Sequence, residues 1–434
     1  MIKLERLDGR GTYSCPDEGE ENKPAQDRYF ISKRKMILFV MIAIALLIVS
    51  AVVGTFFSSS NHSEGATSQI VNPTVTGRSR KRVEKITEKP TKEEPWKNFR
   101  LPRTIIPVYY DILIRVNMSA SIFHGLVNIR VSVKKDTEYI ILHVDPMMKY
   151  RTMSVKDLGD KTLIKKKHAR NYKDYLVVEV DKKLKRGRNY TISIQFYSRF
   201  NRYPTRGLYW IRNKSVYDRL TRTWATQKKM AVTFFAPVAA RRNFPCFDEP
   251  DMKARFMLTL IYNRGYTSVS NMPLKTRRMT KDLVFDRFQT SPVMPTYMLN
   301  YAISDYTFTS TTSVNGTAIR VWSPKQTASQ RSYALRVANL TLPFFESLFG
   351  IAYPIKKLDM ITTPTFEVAA MENWGLINYI SQGLLFDDEQ NSSSDLVKKQ
   401  SIALLIAHEN AHQWLGNLVT LRWWNDIFVQ EGIL

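Results

Sequence analysis

The segment Ala407-His408-Glu409-Asn410-Ala411-His412-Gln413-Trp414 constrains the fold more tightly than any other stretch of this chain. Residues four apart lie on one face of a helix, so a helical segment points His408 and His412 the same way. Two imidazoles converging at that spacing suit Zn²⁺, one ion per chain. Glu409, one position round the helix, is placed to act on a water held at the metal. A third ligand has to come from another element, and Glu431 on a following helix is the candidate. Upstream, Asn391-Ser392-Ser393-Ser394-Asp395 offers N-cap oxygens, and Gly416 offers a stop. Between them Ile402-Ala403-Leu404-Leu405-Ile406-Ala407 is apolar all round, which predicts a buried helix. A carboxylate and two histidines in such a helix need a compensating partner, and a metal supplies one. The other histidines, His62, His124, His143 and His168, stand in no comparable context.

The N-terminal third is organised differently. Met36 to Phe57 contains no charged residue and is long enough to cross a bilayer core. The hydrophilic lead before it argues for an uncleaved signal anchor rather than a cleaved signal peptide. Lys33-Arg34-Lys35 on one side and neutral Ser58-Ser59-Ser60 on the other place the N-terminus in the cytosol. The expected order is a cytosolic tail at 1–35, a transmembrane anchor at 36–57 and a Ser-, Thr-, Lys- and Glu-rich stalk at 58–99. The remainder is then extracellular, in a single-pass type II protein of the plasma membrane. Sequons at Asn61, Asn117, Asn189, Asn213, Asn315, Asn339 and Asn391 agree with this orientation. Cys15 and Cys246 would lie on opposite sides of the membrane and form no internal disulfide.

From about residue 100 the chain breaks into short alternating segments bounded by turn residues, such as Val127–Val133, Tyr190–Ile194 and Phe256–Leu260. Period two with β-branched residues predicts antiparallel strands in a sandwich-like domain over 100–305. Beyond about 320 helical patterns take over, first at Tyr333–Phe349, where Pro343 is expected to bend or split the helix. The fold class is therefore multidomain α+β. Lys and Arg outnumber Asp and Glu by 64 to 39, a net charge of +25 spread over several runs, including Arg78–Arg82 and Lys182–Arg188. No zinc-finger, RRM or helix-turn-helix pattern accompanies them. The basic runs are read as a solvated surface, and nucleic acid is not expected as a partner.

His408-Glu409-x-x-His412 followed by Glu431 resembles the signature of the gluzincin aminopeptidases, the family of aminopeptidase N and glutamyl aminopeptidase. Gln413 to Thr420 and Trp423-Trp424-Asn425-Asp426 match the family's flanking run. So do Arg100-Leu101-Pro102, Phe244 to Pro250 with Lys253-Ala254, Ser270 to Pro273 and Glu372-Asn373-Trp374-Gly375. The resemblance implies an N-terminal β domain followed at 306–434 by the incomplete start of a thermolysin-like α+β catalytic domain. It implies that His408, His412 and Glu431 hold Zn²⁺ and that Glu409 is the general base. Ala370, Met371, Glu372 and Asn373 would bind the peptide substrate, with Glu372 on its free α-ammonium. A homodimer is compatible with the resemblance.

Departures from the family pattern shape the functional expectation. Ala369 stands where the exopeptidase motif has glycine, and in Thr233 to Arg241 the first-pocket position is Phe234 and a second amine-binding position is Ala236. Phe234 predicts a preference for apolar first residues. Losing the anchor at Ala236 weakens amine binding by about 1–3 kcal/mol. Asn410, Leu415, Phe428, Gln430 and Ile433 are further substitutions around the zinc motif, and the family's transition-state tyrosine and helical C-terminal domain are expected beyond Leu434. The leading expectation is a membrane-anchored zinc aminopeptidase, with this 434-residue chain itself inactive. The alternative is a peptide-binding or receptor-like member that keeps zinc with impaired turnover.

Overall fold

The computed structural model describes residues 94–433, apart from residue 121 and the short stretches 160–162, 201–204, 212–214, 219–222, 227 and 388–392. The tail, the apolar run Met36–Phe57 and most of the stalk lie outside the described residues. Among those described, no helix is long and apolar enough to cross a membrane. At the end of the segment read as stalk, Lys97, Asn98 and Phe99 are exposed but Trp96 is packed. Trp96 in the turn Pro95–Lys97 is buried, with its ring 5.0 Å from that of Tyr139. Of the sequons, Asn117, Asn189 and Asn315 are exposed, whereas Asn339 sits inside a helix with its Oδ1 buried.

An eight-stranded sheet dominates the first half. Its order is Leu274–Met279, Leu283–Phe288, Arg255–Asn263, Ile105–Val116, Ile122–Val133, Asn189–Arg199, Lys149–Asp157 and Leu163–Ile164. Alternation builds it: Tyr110, Ile112, Ile114 and Val116 turn into the core, while Asp111, Leu113 and Arg115 face the other way. A three-stranded sheet (Thr137–His143, Tyr175–Leu184, Lys166–Tyr172) and a four-stranded one (Thr267–Ser270, Tyr301–Ser304, Met230–Phe234, Gly207–Ile211) complete this part. The expectation of a purely antiparallel arrangement is corrected at its centre. Ile105–Val116 runs parallel to Arg255–Asn263, a pairing between segments too far apart in sequence for local alternation to reveal.

At Asp305 and Tyr306 the chain leaves the four-stranded sheet for a five-stranded mixed one: Thr307–Thr312, Ala318–Ser323, Lys357–Thr362, Leu376–Tyr379 and Ala370–Met371. This second part therefore starts with strands, before the first helical pattern. The helix Ser332–Phe349 crosses between the parallel pair Ala318–Ser323 and Lys357–Thr362 and is unsplit by Pro343. It packs against the histidine helix, Ser393–Ala411, where Asn410 Nδ2 donates to Thr341 Oγ1 at 2.8 Å and Tyr333 Oη donates to the Lys399 carbonyl at 2.9 Å. The histidine helix is buried on one side only. Ile402 and Ile406 are covered, but Leu404 is 64% exposed, because the helix Ser332–Phe349 meets a single face and no described element covers the opposite one.

Two polar systems lock the strands and loops together. Glu249 accepts from the Leu101 amide at 2.6 Å, from Arg100 Nε at 2.7 Å and from Arg103 at 2.8 Å, so two of the sequence hallmarks clasp each other. Between the four- and five-stranded sheets, Asn271 Nδ2 donates to the carbonyls of Met298 and Trp374, and Asn300 Nδ2 to that of Leu376. Asn378 Nδ2 donates to the Thr233 carbonyl. Buried Lys357 spans the same seam, donating to the carbonyls of Ser270 and Gly375 and to Asp359 at 2.8 Å.

Two predictions follow from these networks. Lys357→Met leaves Asp359 with only Arg320, at 3.3 Å, as a charged partner. It should destabilise the fold by about 3 kcal/mol, at the lower end for a broken buried pair, read as a fall in the urea midpoint. Burial raises buried Asp286, but hydrogen bonds from Arg277, Ser268 and Tyr262 outweigh that and hold it below the usual carboxylate value. Its stabilisation is complete above the unfolded-state value, about 3.9, and is lost as pH falls through the lower folded value. Asp286→Asn should therefore flatten the loss of thermal stability below about pH 4; an unchanged acid limb rejects this assignment.

Candidate metal centre and substrate cleft

His408 lies in the last turn of its helix, and His412 begins the turn that follows it. Their Nε2 atoms are 3.0 Å apart and face Glu431 Oε2, carried by the short helix Ile427–Gly432, at 3.6 and 3.5 Å. Bond lengths of about 2.0–2.1 Å place tetrahedral zinc ligands about 3.3 Å apart. The observed triangle is therefore close to the one a zinc ion requires, and these three residues form a group among the described residues whose donor atoms could hold a metal ion. Nδ1 of His412 is 3.0 Å from the Leu415 carbonyl, which can only accept. The proton therefore sits on Nδ1, and the Nε2 lone pair is free for a metal.

Charge at the site points the same way. Burial, with Glu372 beside it, pushes Glu409 well above the usual carboxylate range, and its Oε2 has no hydrogen-bond partner among the described residues. Burial likewise raises Glu372. Burial would lower His412, but the hydrogen bond with Glu431 and the charges of Glu372 and Glu409 outweigh it and raise the ring to about 9. Hydrogen bonding to His408 and His412 holds Glu431 well below its ordinary value. The three carboxylates draw positive charge to this point, whether as a proton on His412 or as a divalent cation. The donors present fit zinc.

The triangle opens into a cleft of about 610 Å³ lined by Phe234, Ala370, Met371, Glu372, His408, Glu409, His412 and Glu431, with Ala236 and Ala369 also on its wall. Asn373, expected beside them, does not line it. Its side chain is buried and donates to the Tyr297 carbonyl at 3.1 Å. Glu372 is reached because Gly375, at φ +81°, turns the chain against Asn271; a Cβ there would lie 2.3 Å from the Asn271 carbonyl oxygen. Gln413 and Asn417 then tie the Glu372 carbonyl to the histidine segment at 3.2 and 2.8 Å. Phe234 is buried with its ring centroid 4.8 Å from that of Phe366, which makes this end of the cleft apolar.

Four residues at the site carry no role that the sequence singles out. Gln430 donates from Nε2 to both Glu372 and Glu431 at 3.3 Å, bridging the two carboxylates; its place beside a ligand was the only available signal. Phe366 was overlooked for want of any pattern around it. Arg206 and Glu367, paired at 2.7 Å on the cleft rim, are distant in sequence and carry no shared pattern.

Comparison with known proteins agrees with this architecture. Residues 106–298 match the Peptidase M1 N-terminal domain and residues 333–434 the Peptidase family M1 domain. The chain is 38% identical to endoplasmic reticulum aminopeptidase 2 of Bos taurus over 346 residues, 78% of this chain and 35% of the relative. It is 35% identical to aminopeptidase N of Bos taurus over 427 residues, 93% of this chain and 42% of the relative. With aminopeptidase A of Gloydius brevicauda it shares 34% identity over 344 residues, 78% of this chain and 34% of the relative. The chain thus spans about a third to two fifths of the length of these relatives. With both domain types of one family matched in order along it, the chain belongs to the M1 peptidase family, of which it covers the N-terminal portion.

Proposed function

We propose that the chain is the N-terminal part of a membrane-anchored zinc aminopeptidase that removes apolar residues from peptide N-termini. The observation that carries this is that the His408–His412–Glu431 triangle and Glu372 line one cleft. A zinc ion held by the triangle would supply Lewis acidity towards the scissile carbonyl and water. Glu409 Oε2, buried and unpartnered, takes the proton of the attacking water and delivers it to the leaving nitrogen. Its raised proton affinity suits that transfer. Glu372, beside Glu409 in the same cleft, meets the substrate's α-ammonium and limits cleavage to the first residue. Ala370–Met371 is the edge strand of its sheet, so its outer edge can pair with an extended peptide backbone. Phe234, Phe366 and Met371 receive the first side chain.

The anchor reading of the sequence at Met36–Phe57 puts this cleft outside the cell. A homodimer fits the same proposal. A second reading, a peptide-binding member with weak turnover, is favoured by Ala236. It lines the cleft, yet its methyl group offers the ammonium no acceptor.

Zinc content is the direct test. The chain should retain one zinc per molecule through gel filtration, and His412→Ala or Glu431→Ala should lose it to a weak chelator; retention by both variants rejects the site. In the complete protein, Glu409→Gln should lower kcat at least about a hundredfold with peptide affinity preserved. Activity unchanged by that substitution favours the binding reading. Aminoacyl amides should be turned over faster with leucine than with an acidic first residue, and Phe234→Ala should narrow that gap by about tenfold. The reverse order in the unmodified protein rejects the apolar pocket.

A further inference from the structure

The eight-stranded sheet commits only one face to the core. On the other face Arg115, Arg130, Lys156, Arg255, Arg278 and Arg287 are all exposed. Register aligns them in rows. Lys156, Thr191, Arg130, Tyr109 and Arg255 stand side by side on five consecutive strands, and Arg115, Ile261, Phe285 and Arg278 form another row. Among these strands a single carboxylate, Asp111, points to this face; Asp157 and Asp286 are buried on the other.

No close ion pair joins these cations to a carboxylate among the described residues, although Arg287 and Arg130 lie near enough to Asp111 to favour its charged form. Several arginines elsewhere are paired closely. Arg100, Arg103, Arg241, Arg277 and Arg320 each sit within 3.3 Å of a carboxylate. On the open face, by contrast, Arg130 lies over the Tyr109 ring at 5.1 Å, and Arg287 donates only to the thioether of Met257, at 3.0 Å. Six cations held in register against one carboxylate, Asp111, repel one another on balance, and an arriving polyanion relieves that repulsion.

We propose that this face binds a linear sulfated polysaccharide. A guanidinium can meet a sulfate with two parallel N–H donors. Between the cations, Asn128, Thr191, Ser193 and Thr259 offer amides and hydroxyls to sugar hydroxyl groups. A cleft of about 340 Å³, bordered by Asn128, Thr259, Arg278 and Arg287 and with Asp111 also in its lining, gives the face a concavity suited to a chain. A lipid surface fits less well, since Leu113, Leu126 and Phe285 are half-buried and cannot insert between headgroups. A single-stranded nucleic acid would stack on open aromatic faces, and Tyr109 and Tyr197 already carry Arg130 and Arg151. The proposal is independent of the zinc cleft and of any peptidase activity.

The test is binding of heparin to the full chain in detergent across a series of salt concentrations. Arg130→Glu/Arg255→Glu should weaken binding at least about tenfold and lower the slope of log K against log salt by about two. Arg336→Glu/Arg422→Glu, which changes net charge equally at exposed arginines elsewhere, should weaken it less than about twofold. The milder Arg130→Gln/Arg255→Gln should fall between, and all three should keep the unfolding midpoint of the unmodified chain. Equal weakening by the two charge reversals reduces the effect to net charge and overturns the site. So does absence of heparin binding, equal affinity for unsulfated hyaluronan, or tighter binding to phosphatidylserine vesicles or single-stranded DNA.

Discussion

The buried amide and lysine seam between the four- and five-stranded sheets is the constraint on which the cleft depends. Asn271, Asn300 and Asn378 sit in a dry interior where an unpaired amide would be costly, and they satisfy one another and the strand carbonyls across the seam. Lys357 adds a charge that cannot leave its carbonyls without stranding Asp359. Because the seam grips the carbonyls of Trp374, Gly375 and Leu376, it fixes the loop that presents Glu372. The N-terminal domain is thus a structural part of the cleft and contributes Phe234 and Ala236 to its wall.

Once Glu372 is fixed, electrostatics decides the rest. Glu372 and Glu409 are both buried, and each raises the cost of ionising the other. Such an arrangement persists only where a cation offsets it. Gln430 relieves part of the strain by donating to Glu372 and Glu431 together. A neutral bridging amide leaves both carboxylates free to keep their charge for other tasks, whereas a lysine there would compete with a metal ion and with a substrate ammonium.

How much of this the sequence disclosed depended on distance along the chain. His408 and His412 are legible as a pair because they stand four apart, although His412 lies just past the helix end. Strands such as Ile122–Val133 and Asn189–Arg199 were readable because alternation is local. The parallel pairing of Ile105–Val116 with Arg255–Asn263 was not, since nothing in either strand encodes the other's direction. The exposure of Leu404 was misjudged for a related reason. An all-apolar run reports what a helix can bury, while the number of faces covered is a property of its neighbours. Asn373 shows the converse limit. A residue beside Glu372 in sequence was read as facing substrate, yet its amide serves the Tyr297 carbonyl.

The end of the histidine helix shows how such local and distant constraints meet. Ala411 is its last residue, so His412 stands where the backbone begins to turn and its Nδ1 can reach the Leu415 carbonyl. That turn requires Gly416 at φ +124°, and a Cβ there would lie 3.1 Å from Gln430 Nε2 and 3.2 Å from His412 Nδ1. A side chain at 416 would therefore strain the backbone and press on two groups at once: the imidazole whose tautomer exposes Nε2, and the amide that bridges Glu372 and Glu431. A residue that looked like a simple helix stop thus sets the protonation of one ligand and the position of the amide beside another. The metal-ligating geometry is as much a product of how the helix ends as of the spacing within it.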